Sequence, residues 1–149
     1  MSASEHDLER FVEAQAPVFD VVFAELRAGI KRTHWMWFVF PQLRGLGRTG
    51  TAQFYGVESA DEALAYWRHP VLGPRLKTCV ELVLAVPGGK SAHAIFGSPD
   101  DLKFRSCLTL FQTVAPEEAC FRTALGRFYG GQPDQLTIQL LTSPEPPQD

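Results

Sequence analysis

The chain has 149 residues and a mass of 16.6 kDa, is 45% apolar and 21% charged, and carries a formal net charge of −3. That length is one domain's worth, and that apolar share supports a core without disulfide or metal staples, so wholesale disorder is excluded. The longest purely apolar run, Trp35 to Phe40, has six residues; a membrane span needs about 20, so none is expected.

Residues 7 to 28 place Leu8, Phe11, Val12, Phe19, Val22, Phe23 and Leu26 at helical spacing. Asp7 is positioned to cap this helix and Gly29 to end it. Pro17 lacks a backbone donor and should kink the helix or divide it. Gln15 falls on the apolar stripe, so its amide either ties a loop to the helix or faces a ligand. In the segment Lys31 to Gln42, the apolar run is apolar on both faces of a strand and fits a minor strand near 35–40 or a short buried helical turn equally well. Pro41 breaks it. Trp35 and Trp37 are expected to be largely buried, with indole N–H groups that need acceptors. Gly45, Gly47 and Gly50 spell G-x-G-x-x-G. The preceding strand, the long helix and the acid about 20 positions on that a dinucleotide site requires are missing. A Gly-rich loop bearing Arg44 and Arg48 could still turn backbone N–H groups toward an anion.

Further along, Ser59-x-x-Glu62 is a capping box that opens a helix to about Trp67. Leu72, Leu76, Cys79, Val80, Val83 and Leu84 form the next stripe, and a short helix is expected at 91–96. Ser98-Pro-Asp-Asp101 starts a helix to about Thr113, with Leu102, Phe104, Leu108 and Phe111 inward. Pro116 opens a helix with Phe121, Ala124, Leu125 and Phe128 on one face, and Asp134 can cap a last one over 135–141. The expectation is an all-α, single-domain bundle of about six short helices over 1–142, followed by a disordered, proline-rich tail at 143–149.

From Leu26 to Val57 there is no Asp or Glu, while Arg27, Lys31, Arg32, Arg44 and Arg48 all fall there. On an acidic chain this segregation marks either ordinary solvated charge or a site for a phosphate, nucleotide or carboxylate. Cys79, Cys107 and Cys120 are an odd set with no C-x-x-C pair, and the N-terminus reads as no signal peptide. Both observations suit reduced thiols in the cytoplasm. The four scattered histidines offer no metal-ligand spacing. An overall pI near 5.8, with aromatics contiguous and not interleaved with cations, argues against a nucleic-acid partner. On the helix after Ser98, Asp101, Arg105 and Thr109 step by four, which makes either an exposed face with an ion pair or the wall of a polar pocket.

The string Lys31-Arg-Thr-His-Trp-Met-Trp-Phe-Val-Phe-Pro-Gln42 with Gly45-Leu-Gly47 resembles the domain-of-unknown-function family eighteen-ten. So do Asp7-Leu-x-x-Phe11-x-x-Ala14-Gln15, His69-Pro-Val-Leu-Gly-Pro-Arg75, Ile95 to Lys103 and Ser106-x-x-Thr109-Leu-Phe111. The resemblance spans residues 7 to about 141 and implies a small, cytosolic, all-helical protein. The calpastatin label sometimes attached to that family has no physical support here, because such an inhibitor is disordered and this chain is core-rich. The helix from Asp7 to Phe19 is more distantly similar to NADAR domains, helical proteins linked to ADP-ribose and N-glycosidic chemistry, although no catalytic motif transfers residue by residue.

Two functional readings stay open. In the first, a pocket takes an anionic small molecule of nucleotide or ADP-ribose type, with N-glycosidic hydrolysis as a possible activity. Lys31, Arg32 and Arg44 hold the anion there, Trp35, Trp37 or Tyr55 stack on a ring, and Gln42, Lys103 and Arg105 complete the ligand set. Glu13, Asp101 and His34 are the acid/base candidates, at least one carboxylate being expected in the same cleft as His34 or Lys31. No cofactor or metal is implied. In the second reading the chain is a non-catalytic interaction module, and its aromatic segment is only core.

Overall fold

A computed structural model describes residues 7–142; the expected tail at 143–149 lies outside the described residues. The amphipathic pattern at the N-terminus forms two helices, α1 (Glu9–Gln15) and α2 (Phe19–Ala28), with Pro17 in the break between them. Gly29 closes α2 in the left-handed conformation, φ +76°, where a side chain would be strained. Asp7 does not cap α1 with its side chain; its carbonyl accepts from the Arg10 guanidinium.

The segment that fits a minor strand or a short buried helical turn equally well forms the helical turn, α3 (Met36–Val39). Its backbone bonds are local, and no strand exists among the described residues. A 3-10 turn at Arg44–Leu46 leads to α4 (Gly50–Tyr55), capped by the Thr49 hydroxyl. One isolated parallel bridge, Leu43 to Val57, closes this excursion. The Gly-rich stretch serves this packing. A Cβ at Gly47 would stand 2.4 Å from the Cβ of Ala52, and one at Gly56 would stand 2.4 Å from the Cα of Arg44.

Ser59 caps α5 (Ala60–Arg68) as the capping box predicts, and α6 (Leu72–Leu84) buries the expected stripe. Then come α7 (Ala92–Phe96), α8 (Asp100–Val114), α9 (Ala119–Tyr129) and α10 (Gln135–Thr142). The described residues thus hold ten α-helices against the about six expected: Pro17 splits one of the seven helical segments read along the chain, and the 36–39 and 50–55 segments each add one.

Helix α8 is the axis of the bundle and packs on α5, α7, α9 and α10. Its inward face is Phe104, Cys107, Leu108 and Phe111; Leu102, expected inward, is exposed. Phe104 meets Phe40 at 4.9 Å and Phe96 at 4.7 Å between ring centroids, which ties α3 and α7 to the axis. Gln15, expected to tie a loop or face a ligand, instead ties α1 to three other helices: its Nε2 donates to the Phe38 carbonyl of α3 and the Tyr66 hydroxyl of α5, and its Oε1 accepts from Arg75 of α6. The three cysteines are free and buried, and desolvation pushes the Cys79 and Cys120 thiols up to about 12, so they are inert at neutral pH.

Candidate functional site

The acid-free segment leaves α2 through a turn built on a carboxylate that the sequence did not single out. Glu25 is buried on the last turns of α2. Its oxygens accept from the backbone N–H groups of Arg32 and Thr33, from the Thr33 hydroxyl, and from the Trp35 indole N–H at 2.8 Å. Burial raises its pKa, but these four hydrogen bonds outweigh it and hold the carboxyl below its ordinary value. Trp35 is therefore a core residue with a satisfied donor, 1% exposed.

Two residues on, Trp37 has a different environment. It is half-buried, and the Lys103 ammonium stands 5.0 Å from its ring centroid. Lys31 stands in the same relation to Trp35, at 5.2 Å. Both lysines converge on Asp100, the first residue of α8. The Lys31 Nζ is 2.9 Å from one carboxylate oxygen and the Lys103 Nζ is 3.7 Å from the other. The Lys31 side chain is 8% exposed and that of Lys103 23% exposed, so the two lysines share one acid, one tightly and one loosely.

Beside this cluster lies a cleft of about 230 Å³, lined by Met36, Trp37, Phe40, Gln42, Ala52, Tyr55, Gly56 and Lys103. Four expected ligand-binding residues, Trp37, Gln42, Tyr55 and Lys103, come together in it, although they lie in three separate stretches of chain. As it stands the cleft has room for about one water.

The other expected residues lie elsewhere. Trp35 is in the core, and Arg32 and His34 are exposed on the turn around Glu25. Arg44 donates to the Gly56 carbonyl and lines a different, open cleft with Arg10, Phe54 and Glu58. Among the described residues Lys31, Arg32 and Arg44 thus share no hydrogen-bonding or ion-pair partner. Arg105 donates to the Gln132 carbonyl and stacks over Tyr129. Asp101 faces His93 at 3.4 Å and forms no pair with Arg105. On the face Asp101–Arg105–Thr109, the chain that enters α10 covers the Arg105 and Thr109 end, where the Asp134 N–H donates to the Thr109 hydroxyl, and no Asp101–Arg105 ion pair forms. Glu13 is exposed and lines a separate depression with Asp7, Arg10 and Phe54. The carboxylate that meets Lys31 is Asp100, not Glu13 or Asp101. Its place in a helix first turn reads from sequence as dipole compensation, and only the fold brings Lys31 to it.

Sequence reasoning also missed a buried ion pair between Arg10 and Glu62, at 3.0 Å, that fixes α1 to α5 beside Gly56. The pair is 52 residues apart in sequence, and no local signal marks it.

Comparison with known proteins agrees with this architecture. A family model described as "Protein of unknown function (DUF1810)" matches residues 5–141, and the chain belongs to that family. Its fold is similar to the crystal structure of the conserved hypothetical protein Rv1873 from Mycobacterium tuberculosis. The identity is 54%, 91% of this chain and 96% of that chain are covered, and the TM-score is 0.89. No curated protein matches the chain. Among the described residues no helix is long and apolar enough to cross a membrane.

Proposed function

We propose that this member of the DUF1810 family binds a small anionic ligand with an aromatic ring, of nucleotide or ADP-ribose type, in the cleft between α3, α4 and α8. The observation that carries the reading is that Trp37, Tyr55, Gln42 and Lys103 line one cleft, with the Lys103 ammonium 5.0 Å from the Trp37 ring centroid. Flat apolar faces with a few placed polar groups are what a ring-bearing ligand requires. The Asp100 cluster beside the cleft has two lysines for one acid, and so favours an anion. Binding is preferred to N-glycosidic hydrolysis because neither Glu13 nor Asp101 lines this cleft, and Asp100 is held between two lysines. The three buried free thiols suit a reducing, cytoplasmic setting.

A thermal-shift panel of nucleotides and ADP-ribose tests the reading. A ligand at about 100 times its dissociation constant adds roughly 2.7 kcal/mol of stability, a shift of several degrees at this size. The shift should vanish in Trp37→Ala. A flat panel, or a shift that survives in Trp37→Ala, favours the non-catalytic interaction module instead.

A further inference from the structure

The cleft is small for the ligands just named. With its side chains as they stand it has room for about one water, whereas pockets for drug-sized ligands begin at roughly 300 Å³. Its walls are Met36, Trp37, Phe40, Tyr55 and the close-packed Ala52 and Gly56, so it widens little without moving backbone: Gly56 already lies against the main chain of Arg44. The wall with the fewest close contacts is Lys103, a long and partly exposed side chain on α8.

Lys103 is held at two points, both weak. Its ammonium is 3.7 Å from Asp100, beyond good hydrogen-bond range, and that acid already has Lys31 at 2.9 Å. Its other contact is the face of Trp37 at 5.0 Å. Removing Lys103 from that position costs Asp100 no close partner and exposes the ring beneath. A cation poised this way is displaced most readily by an anion, which gives it a better partner than it leaves.

We infer that Lys103 is the gate of the cleft and its anion reader: it lies over Trp37, and it swings onto the anionic group of a ligand whose single flat ring takes its place on Trp37. The inference rests on the proposed binding site and deepens it. The recognised unit is one ring with one anionic substituent within reach of Lys103, and any sugar or further phosphate lies outside the cleft. Lys31 does not take part, because it is buried and fully committed to Asp100.

Calorimetric titration with benzoate, its neutral isostere benzamide, phenyl phosphate, inorganic phosphate and ADP-ribose tests this on the full chain. Wild type should bind benzoate and phenyl phosphate about tenfold more tightly than benzamide, the worth of one charge-assisted hydrogen bond. Lys103→Met should abolish that preference and bind benzamide as well as wild type or better. A second readout needs no ligand. Acrylamide should quench tryptophan fluorescence more strongly in Lys103→Met than in wild type, and adding Trp37→Phe should remove the gain. Equal binding of benzoate and benzamide by wild type, an anion preference that survives in Lys103→Met, or unchanged quenching overturns the gate while leaving the binding site standing. Tight binding of inorganic phosphate without a ring also overturns the gate. Failure of every ring compound and of ADP-ribose overturns the gate and the proposed function together.

Discussion

Two carboxylates hold the segment from Lys31 to Trp37, and they do so by different means. Glu25 is enclosed by four hydrogen bonds from neutral donors, all within ten residues of it. Asp100 is enclosed by two cations, one close and one distant. A carboxylate saturated by neutral donors fixes a backbone path and has no capacity left over. One shared between two lysines leaves a cation with donors to spare. The tryptophans follow suit: Trp35 donates into the first arrangement and is core, while Trp37 borders the second and forms a wall.

Removing the Glu25 carboxylate should have the largest effect. Glu25→Ala leaves buried donors from Arg32, Thr33 and Trp35 without a partner, and should cost roughly 3–5 kcal/mol, on the order of 10 °C in melting temperature. Chemical denaturation measures it, and a loss under about 1 kcal/mol would mean that the turn is held by something else. The same residue sets an acid limb. Its folded pKa lies below the ordinary value of 4.5, so its contribution is complete above that value and is lost as the pH falls below it. Glu25→Gln should flatten the stability–pH curve in that acid window and leave the slope at neutral pH unchanged.

The tryptophan pair sharpens the contrast at a smaller scale. Trp35→Phe keeps most of the ring but deletes the donor to Glu25, and should cost about 2 kcal/mol, in the range of a hydrogen bond to a charged group. Trp37→Phe should change stability by less than about 0.5 kcal/mol, as at other partly exposed sites. Equal costs at the two positions would mean that both rings belong to the core.

How much of this was legible in the sequence depends on the range of the interactions. The stripes of α6 and α9, the caps at Ser59 and the break at Pro17 are all set within about one or two helical turns, and the sequence predicts them. The 36–39 turn was ambiguous because an apolar run with no polar face has the same appearance in either period. Glu25 gave no signal. Its partners lie in the turn from Arg32 to Trp35, three of them backbone or hydroxyl groups that carry no residue-type signal for a buried acid. Arg10 and Glu62, and Lys31 and Asp100, meet across many tens of residues. Trp37 and Tyr55 were nameable as ring-stacking candidates from residue type, but the placing of Lys103 with them, and of Lys31 and Arg44 apart from each other, is tertiary geometry.

The smallest expected effect separates the two lysines. If Asp100 belongs mainly to Lys31, a double-mutant cycle should give a coupling of about 1 kcal/mol for Lys31→Met with Asp100→Asn, as for a largely enclosed pair. The cycle of Lys103→Met with Asp100→Asn should give about 0.3 kcal/mol, because that pair is longer, more exposed and only three residues apart on one helix. Added salt should shrink the second coupling proportionally more than the first, since exposed charges are screened more than enclosed ones. The order of the two couplings matters more than their size. A Lys103 coupling equal to or greater than that of Lys31 would make Lys103 a structural partner of Asp100, with no freedom to leave Trp37, and the two carboxylates would then be alike in leaving nothing for a ligand.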